Sequence, residues 1–416
     1  MKRYSEYKDS GVKWIGEIPG HWKMPKLNRV VSKVGSGSTP RGGSEVYIDE
    51  GIKFLRSQNI HFEGLNLDSV VYIPDSINEQ MKNTQVQPFD VLLNITGGSI
   101  GRCFYVDDTL GKANVNQHVC IIRPLSVNYR FLKYFLQSNS GQSQVWFYQK
   151  GDREGLSAES IKTFRLPLPP LPEQQAIVTY LDTKVAKIDE YISIAEKKIA
   201  ALEELKQTII TEAVTRGIHK DVPMKDSGVK WIGMIPEHWD CCKLKYFTRI
   251  KSGDALTNNA LSDTGKYKVY GGGDFMGFYD KYNVDANTIL IGRVGARCGC
   301  VTITEEKAWA TDNALILIHF NINTKFLTYL LVAANLNSLS ISNAQPLITG
   351  SKVKDSFIPE QQEIVSYLDS KVANINQLCQ AERSQIEKLK EYKQRLISDV
   401  VTGKVKVTND SLNGRV

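Results

Sequence analysis

Apolar residues along this chain follow two rhythms, one of period seven and one of short unbroken runs. Leu181, Ile188, Ala195, Leu202 and Ile209 recur every seventh residue, and Val185, Ile192, Ile199, Lys206 and Ala213 form a companion row offset by four. This is the a/d seam of a coiled coil. The same seam, with the same lysine break, returns 187 residues later as Leu368, Ile375, Glu382, Leu389 and Leu396 beside Val372, Cys379, Ile386, Lys393 and Val400. Each seam predicts a helix of about 40 residues, roughly 60 Å long at 1.5 Å per residue. Pro172 and Pro359 suit the helix starts, Glu173 and Glu360 sit near the positive dipole ends, and Gly217 and Gly403 mark the stops. Seams this long need a partner, and the nearest partner is the other copy. Two amphipathic helices packed on separate cores are the alternative. The short runs FDVLLNI (89–95), HVCIIRP (118–124), NTILIGRV (287–294) and ALILIHF (314–320) are β-branched and bounded by Gly, Asn and Pro, as strands are. Tyr129–Gln137 and Thr324–Ala334 read as short amphipathic helices, so the segments between the seams are mixed α/β, of α+β type.

The seams belong to a larger repeat. KDSGVKWIGEIPGHW at 8–22 and KDSGVKWIGMIPEHW at 225–239 agree at 13 of 15 positions, with an offset of 217. PEQQAIVTYLDTKVAKID at 172–189 and PEQQEIVSYLDSKVANIN at 359–376 agree at 13 of 18, with an offset of 187. The unmatched inserts, 23–170 and 240–357, therefore differ in length by 30 residues, 148 against 118. A fixed frame around divergent inserts predicts one operation performed twice on two different targets.

Composition narrows the class. At 416 residues, with 42% hydrophobic and 23% charged residues, the chain is long enough for two or more ordinary globular domains. No apolar run approaches the roughly 18 residues of a membrane span, and MKRYSEYKDS offers no apolar core for a secretory signal, so a cytoplasmic location is expected. Seven cysteines then read as reduced thiols. Cys241-Cys242 and Cys298-x-Cys300 lack zinc-site spacing, and no metal is expected. The net charge of +7 is unevenly placed. The inserts hold 17 Lys+Arg against 13 Asp+Glu and 13 against 10, whereas the remainder holds 22 against 22. All the excess lies in the inserts, where a polyanion-binding function would put it.

Within the inserts, polar side chains crowd onto glycine-rich loops. The first offers Ser38, Thr39 and Arg41, then Arg56, Gln58 and Asn59, then Thr96, Ser99 and Arg102, then Asn116, Gln117 and His118. The second offers Lys251, Asn258, Lys268, Tyr270, Arg293, Arg297, Asp312 and Asn313. These are the side chains that hold phosphates or read base edges, and they are the candidate DNA-binding residues. No catalytic constellation accompanies them: GxxxxGK[ST], GxGxxG at a strand-to-helix turn, HExxH and the Asn/Asp-Pro-Pro-aromatic signature of amino-methyltransferases are absent. His21 and His238, equivalent in the I-P-x-H-W turn, read as packing residues beside Trp22 and Trp239. The alternatives are a helical interaction scaffold that reads no DNA, or a DNA-modifying enzyme with unfamiliar motifs.

DSGVKWIGEIPGHW, its copy DSGVKWIGMIPEHW, LPLPPLPEQQAIVTYLD at 166–182 and IPEQQEIVSYLD resemble the specificity subunits of Type I restriction-modification systems over nearly the whole chain. GSGSTPRG and KYKVYGGGDFMGFYDKYN are similar to two recurrent types of target recognition domain. The second copy departs where SFIPEQQ replaces LPLPPLPEQQ. The resemblance implies frame segments at 1–22 and 218–239, target recognition domains at 23–170 and 240–357, conserved helical regions at 171–217 and 358–403, and a tail at 404–416. It implies two globular domains with mixed sheets, joined by two long helices as an antiparallel coiled coil with pseudo-twofold symmetry. Each domain would read half of a split, asymmetric double-stranded DNA site. The chain would bind no cofactor and catalyse nothing alone. Its partners would be two methyltransferase subunits using S-adenosylmethionine and restriction-translocase subunits using ATP and Mg, away from any membrane.

Overall fold

The computed structural model describes residues 2–149, 155–219, 221–239, 244–246, 248–319, 322–336 and 362–408. They form two compact units, Met1–Ile194 with Gln385–Val416, and Ala195–Ser384. Pro359, Glu360 and the rest of the SFIPEQQ junction up to residue 361 lie outside the described residues. Among those described, no helix is long and apolar enough to cross a membrane.

The first unit begins with the hairpin β1 (Tyr7–Asp9) and β2 (Glu17–Pro19). There follow β3 (Val31–Ser36), β4 (Ile52–Leu55), β5 (Val71–Ile73), helix α1 (Asp75–Gln80), β6 (Val91–Asn94), β7 (Cys103–Tyr105), β8 (Ala113–Val115) and β9 (Val119–Pro124). Helices α2 (Tyr129–Gln137), α3 (Asn139–Tyr148) and α4 (Ala158–Lys162) then lead into α5 (Leu171–Arg216). The strands make a four-stranded antiparallel sheet, β3-β9-β6-β7, and a three-stranded mixed sheet, β5-β4-β8, in which β4 and β8 run parallel. Strand β6 is buried at all four positions because both its faces are covered. Val91 and Leu93 join the main core around Trp22 and Phe131, while Leu92 joins a second cluster with Leu55, Val115 and Ile121. An unbroken apolar run is what such a strand needs.

The second unit holds the hairpin β10 (Met224–Asp226) and β11 (Met234–Pro236), then β12 (Thr248–Ser252), β13 (Tyr267–Gly271), β14 (Asp274–Tyr279), β15 (Ile289–Gly292), β16 (Val301–Ile303), β17 (Ala308–Ala310), β18 (Ala314–His319), α6 (Thr324–Ala333) and, as far as Ser384, α7 (Gln362–Val401). Its sheets are ordered β12-β18-β15-β16 and β14-β13-β17. Strand for strand this is the topology of the first unit, so the repeat runs through the inserts whose sequences show no match. The longer first insert carries α1 between β5 and β6, where the second passes from β14 to β15 without a described helix.

The periodic seams are the buried sides of α5 and α7. Leu181, Val185 and Ile188 pack with Leu396 and Val400 in the first unit, and Ala213 packs with Leu368 in the second. The lysine breaks make cross-helix contacts. Lys393 Nζ donates to Asp189 at 2.6 Å in the first unit, and Lys206 Nζ donates to Asn376 at 3.2 Å in the second. Asp189 and Asn376 are themselves repeat equivalents, so both lysines fix the same antiparallel register. Helix ends close on the hairpins: a Cβ on Gly217 would press against Trp239, and one on Gly403 would collide with Pro19. The hairpin of each unit thus packs on the end of the long helix that precedes it in a cyclic order.

Each insert is tied to its long helix by one set of polar contacts. Asp182 accepts from Tyr134 at 2.7 Å and Arg130 at 2.9 Å; Asp369 accepts from Tyr329 at 2.9 Å and Lys325 at 2.6 Å. Asn128 caps α2 and donates to Gln175, as Asn323 caps α6 and donates to Gln362, both at 3.0 Å. Burial and the carboxylate hold the Tyr134 hydroxyl protonated, far above its ordinary range. Beside it Lys133 is 6% exposed, its amine 4.3 Å from the Tyr134 ring, and burial pushes its pKa down to about 8.

Tyr134→Phe and Tyr329→Phe each remove one hydrogen bond to a carboxylate and should cost about 1–2 kcal/mol in denaturant unfolding. Lys133 gives a pH signature. Between about pH 8 and 10.5 the unfolded chain holds the proton that the folded chain has released, so stability rises with pH through that window. Lys133→Met should abolish this rise and stabilise the chain at pH 7 by about 1–3 kcal/mol, read from unfolding curves at pH 7 and 10.

Candidate nucleic-acid interface

In the first unit the four polar loops of the insert, two of them glycine-rich, converge where β3, β4, β6 and β8 end or begin. Gly37 follows β3 with its amide on the Val119 carbonyl, 2.8 Å away, and Ser38 donates to Val115 at 3.3 Å. A Cβ on Gly37 would collide with the carbonyls of Val115 and Asn116, so only glycine permits this approach. Side chains complete the link. Thr39 donates to Gln117 Oε1 at 2.6 Å, the Gln117 amide lies 2.9 Å from His118 Nε2, and His118 Nδ1 lies 2.6 Å from the Thr96 hydroxyl. One polar chain therefore crosses three loops.

The fourth loop, after β4, joins from beneath. Asn94, fully buried at the end of β6, donates to the Ser57 carbonyl at 2.8 Å and the Ser99 hydroxyl at 3.1 Å. Asn59 is also fully buried, its side chain accepting from the Arg56 amide and donating to the Asn66 carbonyl, both at 2.9 Å. It shapes the loop and is closed to a ligand. Arg56 donates to the Ser69 carbonyl at 3.0 Å, and Gln58 reaches the Ser69 hydroxyl at 3.4 Å. Arg41 is exposed on the first loop and Arg102 half-buried at the end of the third.

The second unit builds the same loop frame. Gly253 donates to Ala314 at 3.0 Å and Asp254 to Ala310 at 3.0 Å, as Gly37 and Ser38 do. Gly295 and Gly299 adopt φ of 76° and 84° where Gly97 and Gly101 adopt 70° and 86°. Gly292 bonds to Cys300 and Gly299 as Asn94 does to Arg102 and Gly101, and Arg293 donates to the Asn313 carbonyl as Ile95 does to His118. These bonds align the loops residue by residue. Ser38 stands where Asp254 does, Ser99 where Arg297 does, Arg102 where Cys300 does, Gln117 where Asp312 does, and His118 where Asn313 does. Backbone is shared and side chains differ at almost every presented position.

Arg293, Arg297, Asp312 and Asn313 are thus brought together, with Lys251 exposed on β12 beside them. Arg293 donates to Ser252 at 3.2 Å, and Arg297 pairs with Asp274 at 3.0 Å. Two candidates stand apart. Lys268 lies back along β13, within 3.7 Å of Glu305 and Glu306, and Tyr270 packs on the cluster around Leu290 and Ile316. The Asn258 side chain lies outside the described residues. Sequence reading missed Asn94 and Asn283; the latter bridges Asp254 at 2.8 Å and both backbone groups of Ala310. Asn94 ends a strand and Asn283 lies in the connection between β14 and β15, neither next to a glycine, and only the fold reveals their cross-loop reach.

Known proteins share this organisation. Residues 19–204 and 236–388 match the sequence profile of the Type I restriction modification DNA specificity domain, once in each unit's insert and helix. The chain is 24% identical to the Type I restriction enzyme MjaVIII specificity subunit of Methanocaldococcus jannaschii, covering 82% of this chain and 86% of that one. It is 20% identical to the EcoKI specificity subunit of Escherichia coli over 57% of this chain and 51% of the relative. A solved structure concerned with complex assembly and conformational transition of the type I R-M system superposes with a TM-score of 0.68 at 16% identity, covering 93% of this chain and 99% of its own. That likeness concerns the fold, which agrees in having two sheet-bearing units and long helices. The doubled profile match and the duplicated fold together identify the chain as a member of the Type I restriction modification DNA specificity family, whose relatives are specificity subunits.

Proposed function

We propose that the loop cluster of each unit reads one half of a bipartite, asymmetric double-stranded DNA site. The observation that carries this reading is the shared backbone frame with unlike side chains. A duplicated reader needs the same approach to the groove twice and a different donor and acceptor set each time. Ser99 against Arg297 and Gln117 against Asp312 supply that difference on one geometry. The excess positive charge of the two inserts supports the same reading. The paired long helices set the spacer between half-sites and dock two methyltransferase subunits that use S-adenosylmethionine, with restriction-translocase subunits using ATP and Mg joining the assembly. The chain contributes specificity and no catalytic step, and it works in the cytoplasm. The domain partition at 23–170 and 240–357 belongs to this proposal, as do the individual DNA-contacting residues.

Replacing residues 23–170 with the corresponding segment of a relative should change one half of the methylated site and leave the other intact. The methylome of a host carrying the chimera and its methyltransferase reads this directly, and a change in both halves would defeat the modular reading. At single residues, Arg102→Ala and Arg293→Ala should weaken DNA binding, whereas Lys206→Ala and Lys393→Ala should disturb helix register and assembly first. A lost phosphate contact would weaken all duplexes alike and lower the salt slope by about one, while a lost base contact costs roughly 1–3 kcal/mol at one position. Titration of cognate and unrelated duplexes at two salt concentrations separates these outcomes.

A further inference from the structure

The two readers share a backbone frame except at one buried position. Asn94 in the first unit and Gly292 in the second close β6 and β15 and make the same backbone hydrogen bonds to the glycine loop that follows. Beside each runs the loop after the parallel strand of the other sheet, entered at Ser57 and Gly272. These two residues are equivalent because the Asn116 amide bonds to the Leu55 carbonyl as the Thr311 amide bonds to that of Tyr270. In the first unit the Asn94 amide lies between the loops, donating to the Ser57 carbonyl on one side and to the Ser99 hydroxyl on the other. In the second unit there is no room for it: a Cβ on Gly292 would collide with the carbonyl oxygens of Gly272 and Arg297. The equivalent carbonyl has moved in against the strand.

We infer that the residue at this strand end sets the gap between the two central reading loops, with Asn94 acting as a one-side-chain spacer in the first reader and Gly292 closing the gap in the second. The inference rests on the loops being the reading surface. Asn94 is a positioning residue: it is fully buried, cannot touch a base, and acts through Ser57, Gln58 and Ser99. Its Oδ1 is buried and finds no hydrogen-bond partner among the described residues, a cost that leucine of similar size would avoid. Leucine would lose both Nδ2 bonds in exchange, so what asparagine adds here is the tie between the two loops. Two readers from one backbone would then differ in the spacing of their recognition loops as well as in side chains, and so in which base pairs of a half-site fall within reach of both loops.

The test uses the full chain assembled with its methyltransferase subunits and a pool of duplexes carrying both half-sites, each mutated singly at every position. Bound and unbound fractions are sequenced for the parent, Asn94→Ala and Asn94→Leu. Discrimination at the half-site read by the first unit should fall roughly tenfold in both variants, the size of one lost base contact. Discrimination at the other half-site should stay at the parental value, measured at a temperature where all three proteins are fully folded. Unchanged discrimination at both halves would overturn the inference, as would an equal loss at both. A loss at the first half that disappears on cooling, as the variants move further below their melting temperatures, would reduce Asn94 to a packing residue and overturn it too. A parent that discriminates at neither half would refute DNA reading itself, a result distinct from any of these.

Discussion

A single carboxylate in each half of the chain orients an insert on its long helix. Asp182 and Asp369 sit on the long helices, and each receives a tyrosine hydroxyl and a cationic side chain from the short helix of an insert. The inserts have diverged almost everywhere else, yet they keep this clamp, with Arg130 in one and Lys325 in the other serving as the cation. A charged acceptor and two donors from different directions fix orientation in a way that apolar contact alone does not. Because the helix seam sets the position of each aspartate, and the clamp sets each insert against it, sequence can drift in the sheets without moving the loops they carry.

The loops inherit their geometry from backbone hydrogen bonds and from glycine. Gly37 and Gly253 pass so close to a neighbouring strand that no side chain fits, and Gly97, Gly101, Gly295 and Gly299 hold left-handed conformations in matching places. Little of this depends on which polar residues stand between them. Ser99 can become Arg297, and His118 can become Asn313, with the turn preserved. Here the separation of frame from content is a property of the backbone, and it is what lets one fold serve two different surfaces.

How much of this was legible in the chain depended on the kind of signal. The seams predicted α5 and α7 well, since a side chain every seventh residue either meets a partner or is wasted, and Pro172, Gly217 and Gly403 fall where the helix begins or stops. Strands β6, β9, β15 and β18 were legible because both faces are buried, leaving unbroken apolar runs. The kinship of the two inserts was not legible. Burial asks only that position 92 or 290 be apolar, so Leu92 and Leu290 agree in role while the sequences around them share little beyond apolar runs and the spacing of glycines. The glycine loops pointed to the candidate surface, but Lys268 and Tyr270 were chosen for residue type, and ion pairing in one case and packing in the other set them apart. Asn94 went unnoticed because an asparagine after three apolar residues looks like the end of a strand, which it is, as well as the tie between two loops.

The cyclic packing of hairpins on helix ends has a consequence for how the chain is made. Leu396, Ile397, Val400 and Val401 lie in the core that also holds Trp22, Phe131 and Leu181, so that unit draws on both ends of the described sequence. The other unit is one uninterrupted stretch, Ala195–Ser384. On the ribosome, where domains generally fold in the order they emerge, the unit begun first cannot be completed until the last helix has been synthesised. Until then its sheets stand with one wall of the core missing, while the later unit already has its whole sequence. An arrest that leaves the chain outside the ribosome as far as residue 384 would therefore let the newer part of the protein close while the older part stays open.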